Sequence, residues 1–407
     1  MRSRPTARDR RSDRHRRSAH REICRGFRPI DEQQILKEVA QAFVAEVCPP
    51  ERAKEWDEAE TVPEELFKGL ADMGWLALPF PAEDGGGDGG AIELTVLAEE
   101  LGRASLDIAM CYVGGVVIGL TIHRWGSQQQ RDTLRERMFT GQLRYAVSMS
   151  EPDSGSDTAA LRTRAVLDGD RFVVNGQKTW CTGAGVPGTH IAMYVRTGAS
   201  KPKHEGISLP PVDPGLPGVQ LRRTPTLARR VLGTYEVYLT EVALPADGLV
   251  GPLHGGWPVM LSNLELERAL MSGAYVGVAQ ATLDEMLAYA KQRIQFDRPI
   301  GTFQALAHKM AALQTEIDAA RMLAYRAVWL VSRRQPAARE AAMAKLKGSE
   351  TYVAATRLGM QILAGHGFST ESVMSFRWRE SIVATISGGT SEIQLNATAR
   401  AMGLRTY

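Results

Sequence analysis

The chain has 407 residues, of which 44% are hydrophobic, 23% charged and 7% aromatic, a globular balance that excludes wholesale disorder, collagen and a coiled-coil rod. Its formal charge of +3 is uneven: residues 1–28 hold 11 Arg and no Lys against Asp9, Asp13 and Glu22, a local +8 that leaves the remainder at −5. The acidic remainder argues against a nucleic-acid partner, and the longest apolar stretch, Ile108 to Leu120 with Gly114, Gly115 and Gly119 inside it, falls short of the ~18 residues that span a bilayer.

Residues 1–28 form a basic tail with almost no apolar residues, so no core is expected there. A disordered extension fits better than a transit peptide, because Asp9, Asp13 and Glu22 are out of place in one and an apolar face is missing. From Asp31 the pattern turns helical. Ile35, Val39, Phe43 and Val47 recur every four residues, and Pro49-Pro50 reads as the stop. A second helix is predicted at Pro63-Glu64-Glu65. Glu83–Gly90 is a glycine-rich loop, but no strand precedes it, so it is neither a Rossmann turn nor a P-loop.

Past residue 146 the period changes to two. Asp168-Gly169-Asp170 sits between alternating runs and predicts a hairpin. Tyr235, Val237 and Leu239 alternate with Glu236, Tyr238 and Thr240. Residues 147–252 therefore read as a mostly antiparallel β domain between helical domains at 29–146 and 253–407. In the last of these, Phe303, Leu306, Met310, Leu313, Ile317, Ala320, Ala324, Ala327 and Val331 step by three and four. That stripe is either one helix packed in its own subunit or a bundle seam that also serves oligomerisation.

Several chemistries find no support. There is no GxSxG elbow. His204-Glu205 lacks a second histidine one turn later, and the eight histidines do not gather with carboxylates, so no metal is expected. His366, between Gly365 and Gly367, reads as a turn residue. Cys24, Cys48, Cys111 and Cys181 are few, scattered and without a CxxC pair, which points to a reducing compartment: the cytoplasm, or the mitochondrial matrix in a eukaryote.

Three stretches carry candidate chemistry. Ser150-Glu151-Pro152-Asp153-Ser154-Gly155-Ser156-Asp157 offers hydroxyls and backbone N–H groups to a flat polar ligand. Asn175 to Thr182 leads through a turn into a strand bearing Trp180. Gly388-Gly389-Thr390-Ser391-Glu392 lies between helical patterns, where glycine permits close backbone approach.

With these in order come LTEVALPADGLVG, RIQFDRPIGTFQALAHKMA, QILAGHGF and GGTSEIQLNATAR. Together they make residues 31–405 resemble the acyl-CoA dehydrogenases, FAD enzymes that desaturate an acyl thioester between Cα and Cβ. The resemblance implies an α+β fold: an N-terminal helical domain, a central antiparallel β domain and a C-terminal helical bundle, usually assembled as a tetramer. It implies FAD in the cleft between the last two. Met149, Ser150 and Ser156 match the flavin-ring loop, Ser156 also lying near the substrate's pantetheine arm. Trp180, Cys181 and Thr182 match the strand flanking the isoalloxazine, Thr182 reaching toward N5. Arg293, Phe296 and Gln304, with the segment from Gln361 to Gly365, match residues that hold the FAD diphosphate and adenine from a neighbouring subunit. Thr390 and Glu392 match a further cofactor contact, and Arg400 a position near the CoA moiety.

The reaction needs a base within hydrogen-bond reach of the α-proton. Many relatives carry a Glu just before the Gly-Thr-Ser turn, where this chain has Gly388. A second lineage, resembling isovaleryl-CoA and long-chain dehydrogenases, carries it on a helix before an arginine, and here Glu267 precedes Arg268. Glu267 is thus the expected base, Gly388 and Gly389 leave it room, Arg268 adjoins it, and Glu265 is the control. Ile386 and Ser387 are expected to border the acyl chain. The implied partners are an acyl-CoA, or an acyl thioester on a carrier protein, and electron-transferring flavoprotein. An oxygen-using flavoenzyme of the same fold is the other reading, and retention of Glu267 argues against a monooxygenase.

Overall fold

The computed structural model describes residues 31–198 and 202–405, so the expectations for residues 1–28 lie outside it. The first helix, α1 (Asp31–Val47), buries Ala40, Phe43 and Val44 and stops before the two prolines as expected. The second proline does not end structure, however. It opens α2 (Pro50–Ala59) from its first turn, where a missing N–H costs nothing because that group has no helical partner. Next come α3 (Glu64–Asp72), α4 (Ala91–Ala104), α5 (Leu106–Trp125) and α6 (Gln128–Thr133). The glycine-rich loop before α4 folds back on Leu78 and Phe80: a Cβ on Gly86 would lie 2.0 Å from the Phe80 carbonyl oxygen. Gly87 and Gly89 likewise leave little room for a Cβ against Leu78.

At 20 residues, α5 is long and apolar enough to cross a bilayer on length and composition alone, which corrects the expectation drawn from its shorter apolar stretch. Leu106, Ile108, Ala109, Tyr112, Val113 and Val116 are buried in the main core, so it is the central helix of its domain.

The β domain runs β1 (Arg144–Ser148), β2 (Arg164–Asp168), β3 (Arg171–Thr182), β4 (Thr189–Met193), β5 (Val195–Arg196), β6 (Ile207–Ser208), β7 (Pro211–Val212), β8 (Val219–Thr224) and β9 (Thr234–Pro245). These form two sheets, ordered β1-β4-β7 and β6-β5-β2-β3-β9-β8. Pairing is antiparallel except for β1 with β4 and β2 with β5. Gly169 turns between β2 and β3 at φ +64°, with Asp168 paired to Arg171, as the hairpin signal requires. Phe172, Val174, Ile191, Met193, Val237 and Leu239 fill the core of this domain, which accounts for the alternation read along β9.

The C-terminal domain begins with α7 (Gly256–Gln292), whose close approach to α4 is built on glycine. A Cβ on Gly277 would lie 1.9 Å from the Glu99 carbonyl oxygen, and one on Gly102 2.4 Å from that of Ala274. A short hairpin of β10 (Ile294–Gln295) and β11 (Arg298–Pro299) leads to α8 (Gln304–Ser332), α9 (Ala338–Leu363), α10 (Gly365–Phe368), α11 (Val373–Ser381) and α12 (Ser391–Ala401). In α8 the buried residues are Met310, Leu313, Ile317, Ala320, Ala324, Ala327 and Val328, the stripe expected from its period. His366 lies on α10, against Tyr289.

A buried polar cluster pins the three domains together. The Glu380 carboxylate accepts from the Leu106 and Asp107 N–H groups at 2.9 and 2.8 Å, capping α5. The Asp107 carboxylate accepts from Arg229 at 2.9 Å and from the Val231 N–H at 3.3 Å. Arg229 is buried at a φ of +64°, so its β-domain loop is held down on both helical layers.

Candidate active site

Glu265 and Glu267 lie within one turn of a single helix, two residues apart and so on roughly opposite sides of it, and meet different surroundings. Glu265 accepts from the Ala337 N–H at 3.1 Å, satisfying a free donor at the start of α9. Glu267 makes no hydrogen bond or ion pair among the described residues. Burial pushes its carboxyl above the usual range, and the adjacent Arg268 only partly opposes that. Its charge also reaches the buried phenols of Tyr194 and Tyr275.

The Gly388-Gly389 turn lies against the neighbouring Arg268. Both glycines are left-handed, at φ +65° and +88°. A Cβ on Gly388 would meet only Lys345 Cε, at 4.0 Å, so the space there is open. A Cβ on Gly389 would lie 3.8 Å from Arg268 Nη2, which puts the guanidinium against the turn. Thr390 then caps α12, its hydroxyl accepting from the Ile393 N–H at 3.3 Å. Glu392, in the first turn of α12, has its carboxyl held low by its own backbone N–H and the Thr390 hydroxyl. Arg268 Nε, Ser391 Oγ and Gln394 Oε1 are buried without hydrogen-bond partners.

A second surface forms where the loop after β1 meets β3. The Thr179 N–H donates to the Ser150 carbonyl at 2.9 Å. Lys178 Nζ donates to the Met149 carbonyl at 3.1 Å and to Glu151 at 2.8 Å. Glu151 also accepts from the N–H groups of Arg162 and Thr163 at 2.6 and 2.8 Å. Burial pushes Glu151 up, but Lys178 and these donors together hold it low. Burial takes Lys178 down to about 8 against the pull of Glu151.

The pairing of β3 with β9 slips between Lys178 and Cys181. At that bulge Trp180 takes φ +59° and stands 64% exposed. A bulky residue in the left-handed region is strained and flags a functional position. Thr182 is half-buried beside it. Cys181 points into the β-domain core, its thiol donating to the Val147 carbonyl at 3.5 Å, so any contact it makes at the bulge is through its backbone. Ser154 Oγ and Thr179 Oγ1 are buried without partners, and Ser156 is exposed. An exposed aromatic edge with orphaned hydroxyls fits a flat, polar, ring-bearing cofactor such as a flavin.

Arg293, Phe296, Gln304, Gln361, Gly365 and Arg400 are exposed. Phe296 and Asp297 form a two-residue left-handed turn, with Phe296 87% exposed. The contact between Tyr289 and His366, ring centroids 5.7 Å apart, draws the Arg293 end of α7 toward Gly365. Sequence reading placed Glu151 and Lys178 in candidate stretches without giving either a role, and passed over Tyr194, Tyr275 and Lys345. Lys345 alone left a signal: it falls on the buried α9 stripe of Ala341, Gly348, Tyr352 and Ala355.

Family models match almost the whole described chain: the acyl-CoA dehydrogenase N-terminal domain at residues 30–142, the middle domain at 146–242 and the C-terminal domain at 254–403. The chain is 34% identical over 376 residues to probable acyl-CoA dehydrogenase YngJ of Bacillus subtilis, covering 92% of this chain and 98% of that protein. It is 29% identical over 367 residues to subunit CarC of the caffeyl-CoA reductase-Etf complex of Acetobacterium woodii, covering 89% and 96%. Among solved structures it is similar to butyryl-CoA dehydrogenase from Megasphaera elsdenii, at 26% identity and a TM-score of 0.88, covering 93% of this chain and 100% of that one.

Proposed function

Because the chain belongs to the acyl-CoA dehydrogenase family, flavin-dependent oxidoreductases of the CH–CH group, we propose that it desaturates an acyl-CoA at Cα–Cβ with Glu267 as the base. One contrast carries this reading. Of two carboxylates on one helix, Glu265 is committed to capping α9, while Glu267 is left unbonded and raised by burial beside a turn that has no side chain of its own.

Glu267 takes the α-proton. Burial raises its proton affinity, and an acyl chain that excludes further water raises it more. The adjacent Arg268 partly opposes that rise. Gly388 and Gly389 leave the space beside it to the substrate, with Ile386 and Ser387 along the acyl chain. Bound FAD supplies the acceptor for the β-hydride. Trp180 and Thr182 flank its ring, Met149, Ser150 and Ser156 line the facing loop, and Thr390 and Glu392 contact it from the α12 side. Arg400 lies toward the CoA end.

Arg293, Phe296, Gln304, Gln361 and Gly365 hold the distant half of FAD for a neighbouring subunit. Their exposure, away from Trp180, supports a homo-oligomer, a tetramer by family resemblance. Electrons leave to an electron-transferring flavoprotein, in keeping with the similarity to a subunit of an Etf complex. The buried free thiols of Cys48, Cys111 and Cys181 fit a reducing compartment such as the cytoplasm.

The test is anaerobic titration of the purified yellow protein with short, branched, medium and long acyl-CoAs. Bleaching by one class supports desaturation and identifies the chain. A flavoprotein that none of them bleaches moves the substrate to a carrier-protein thioester, and a chain that cannot be loaded with FAD ends the cofactor assignment.

A further inference from the structure

Lys345 is 1% exposed on α9, yet it has no ion-pair partner among the described residues. Burying an ammonium without a carboxylate is costly, so its surroundings have to justify it. Nζ donates to two carbonyls, Gly389 at 2.7 Å and Ala384 at 3.0 Å. These residues bracket Thr385, Ile386, Ser387 and Gly388, the stretch that faces Glu267 and the acyl chain in the reading above. One cation therefore ties both ends of that stretch to α9.

The remaining supports are weaker or local. Gln394 Nε2 donates to the Gly388 and Gly389 carbonyls at 3.2 and 2.9 Å, both at the same end. The Tyr275 hydroxyl reaches the Ala384 carbonyl at 3.4 Å. Tyr275 also reaches Ser387 inside the stretch, but among the described residues Lys345 alone donates to the carbonyls at both ends. Its alkyl chain also floors the open space at Gly388, where Cε would be the nearest atom to a Cβ. Charged groups face it from three elements: Arg268 on α7, Glu350 on α9 and Glu392 on α12. Burial, and Arg268 after it, lower Lys345 to about 8.

We propose that Lys345 is a positioning residue: it clips the backbone from Ala384 to Gly389 and so sets the wall against which the substrate's α-carbon is held for Glu267. Where position 388 has no side chain, the backbone itself is that wall. Its place then depends on what grips the carbonyls. The proposal rests on Glu267 as base.

The test uses the FAD-loaded enzyme and Lys345→Met, which keeps length and burial but removes both hydrogen bonds. Three quantities are read: flavin content, the anaerobic single-turnover rate of flavin bleaching, and the long-wavelength charge-transfer band formed with a 3-thiaacyl-CoA. That band appears only when the ligand's deprotonated α-carbon lies over the flavin. The expected result is retained flavin, a rate ~10- to 100-fold lower, as a small misplacement of reacting groups costs, and a weakened band. Lys345→Arg, which restores a charged donor, recovers part of both. A Met variant with wild-type rate and band overturns the proposal. Should the Met variant not load flavin, Lys345→Gln, with one amide N–H for a carbonyl, decides by the same readings. If neither loads flavin, Lys345 is a general fold residue and the proposal also falls. Glu267→Gln, run alongside, reports on the base separately: an active Gln variant removes the base, whereas an active Met variant removes only the clip.

Discussion

Lys178 and Glu151 meet at 2.8 Å inside the β domain, one from the strand that carries Trp180 and the other from the loop after Met149 and Ser150. Lys178 is fully buried, and it also holds the Met149 carbonyl. The pair therefore fixes the distance between the two stretches that the family resemblance assigns to the flavin ring.

Lys178→Met leaves Glu151 charged and without its cation. Breaking a buried pair on one side costs ~3–5 kcal/mol, and here it also frees the loop. The expected outcome is a lower denaturation midpoint in urea and a reduced flavin-to-protein absorbance ratio. The double variant Lys178→Met/Glu151→Gln removes the stranded charge and should recover part of the stability but not the flavin. Recovery of both would mean that the pair serves the fold alone.

Glu267→Gln and Glu265→Gln should separate cleanly. Loss of a general base typically costs ~10²- to 10⁴-fold in rate, so Glu267→Gln should bind flavin and acyl-CoA but bleach very slowly. Glu265→Gln keeps the rate and weakens the α9 cap, a loss of ~1 kcal/mol.

The two variants should also differ in stability against pH. The folded carboxyl of Glu267 is raised, chiefly by burial, so in the window above the unfolded value the folded chain holds more protons than the unfolded one. Stability then falls as pH rises through that window and stays reduced above it. Glu267→Gln removes this penalty. Its melting temperature should exceed wild type at neutral pH, and the gain should vanish in acid below ~4.3, the ordinary Glu value. A Gln variant less stable than wild type at pH 7 would show that the carboxylate is not strained where it stands.

Trp180 makes a related test without a titrating group. Left-handed backbone costs a residue with a Cβ ~1–2 kcal/mol, and a side chain 64% exposed returns little packing. Trp180→Gly should leave the melting temperature of the flavin-free protein nearly unchanged, unlike the ~3–5 kcal/mol lost when a core aromatic is truncated. Flavin retention should drop sharply. An apoprotein that unfolds much earlier would reassign Trp180 to the fold.

Much of this was legible in the chain because period and punctuation are local. The four-residue spacing of Val39 and Phe43, the alternation along Tyr235 to Thr240 and the Asp168-Gly169-Asp170 turn each depend only on neighbours in sequence. Pro50 misled because proline both ends a helix and opens one, and the residues that follow decide which. The opposite facing of Trp180 and Cys181 was not legible, because a bulge between Lys178 and Cys181 sets Trp180 at an exposed left-handed position and Cys181 in the core, a step that simple alternation does not contain. Glu267 was reachable only through the resemblance; the helix pattern makes it an ordinary acid. Lys345 showed in the sequence only as a lysine on an apolar stripe; its role did not, because its partners are backbone carbonyls ~40 residues away, and carbonyls carry no sequence signal.

Phe296 tests the assembly. It and Asp297 form the two left-handed positions of a two-residue hairpin turn, a place that favours Asn and Gly over a large aromatic. Phe296 stands 87% exposed there, touching only Phe303 among ring partners, at 6.1 Å between centroids. Among the described residues no other ring meets the phenyl at that tip, and a contact with a neighbouring subunit is the role tested here. Phe296→Asn should improve the turn and leave the single chain folded. It should weaken assembly by the ~1.5–3 kcal/mol that burying such a side chain contributes, about 10- to 100-fold in the association constant. Sedimentation velocity across a dilution series should then show dissociation at concentrations where wild type stays assembled, with flavin lost in the same range. A variant that sediments like wild type and keeps its flavin would leave Phe296 outside both the interface and the cofactor site.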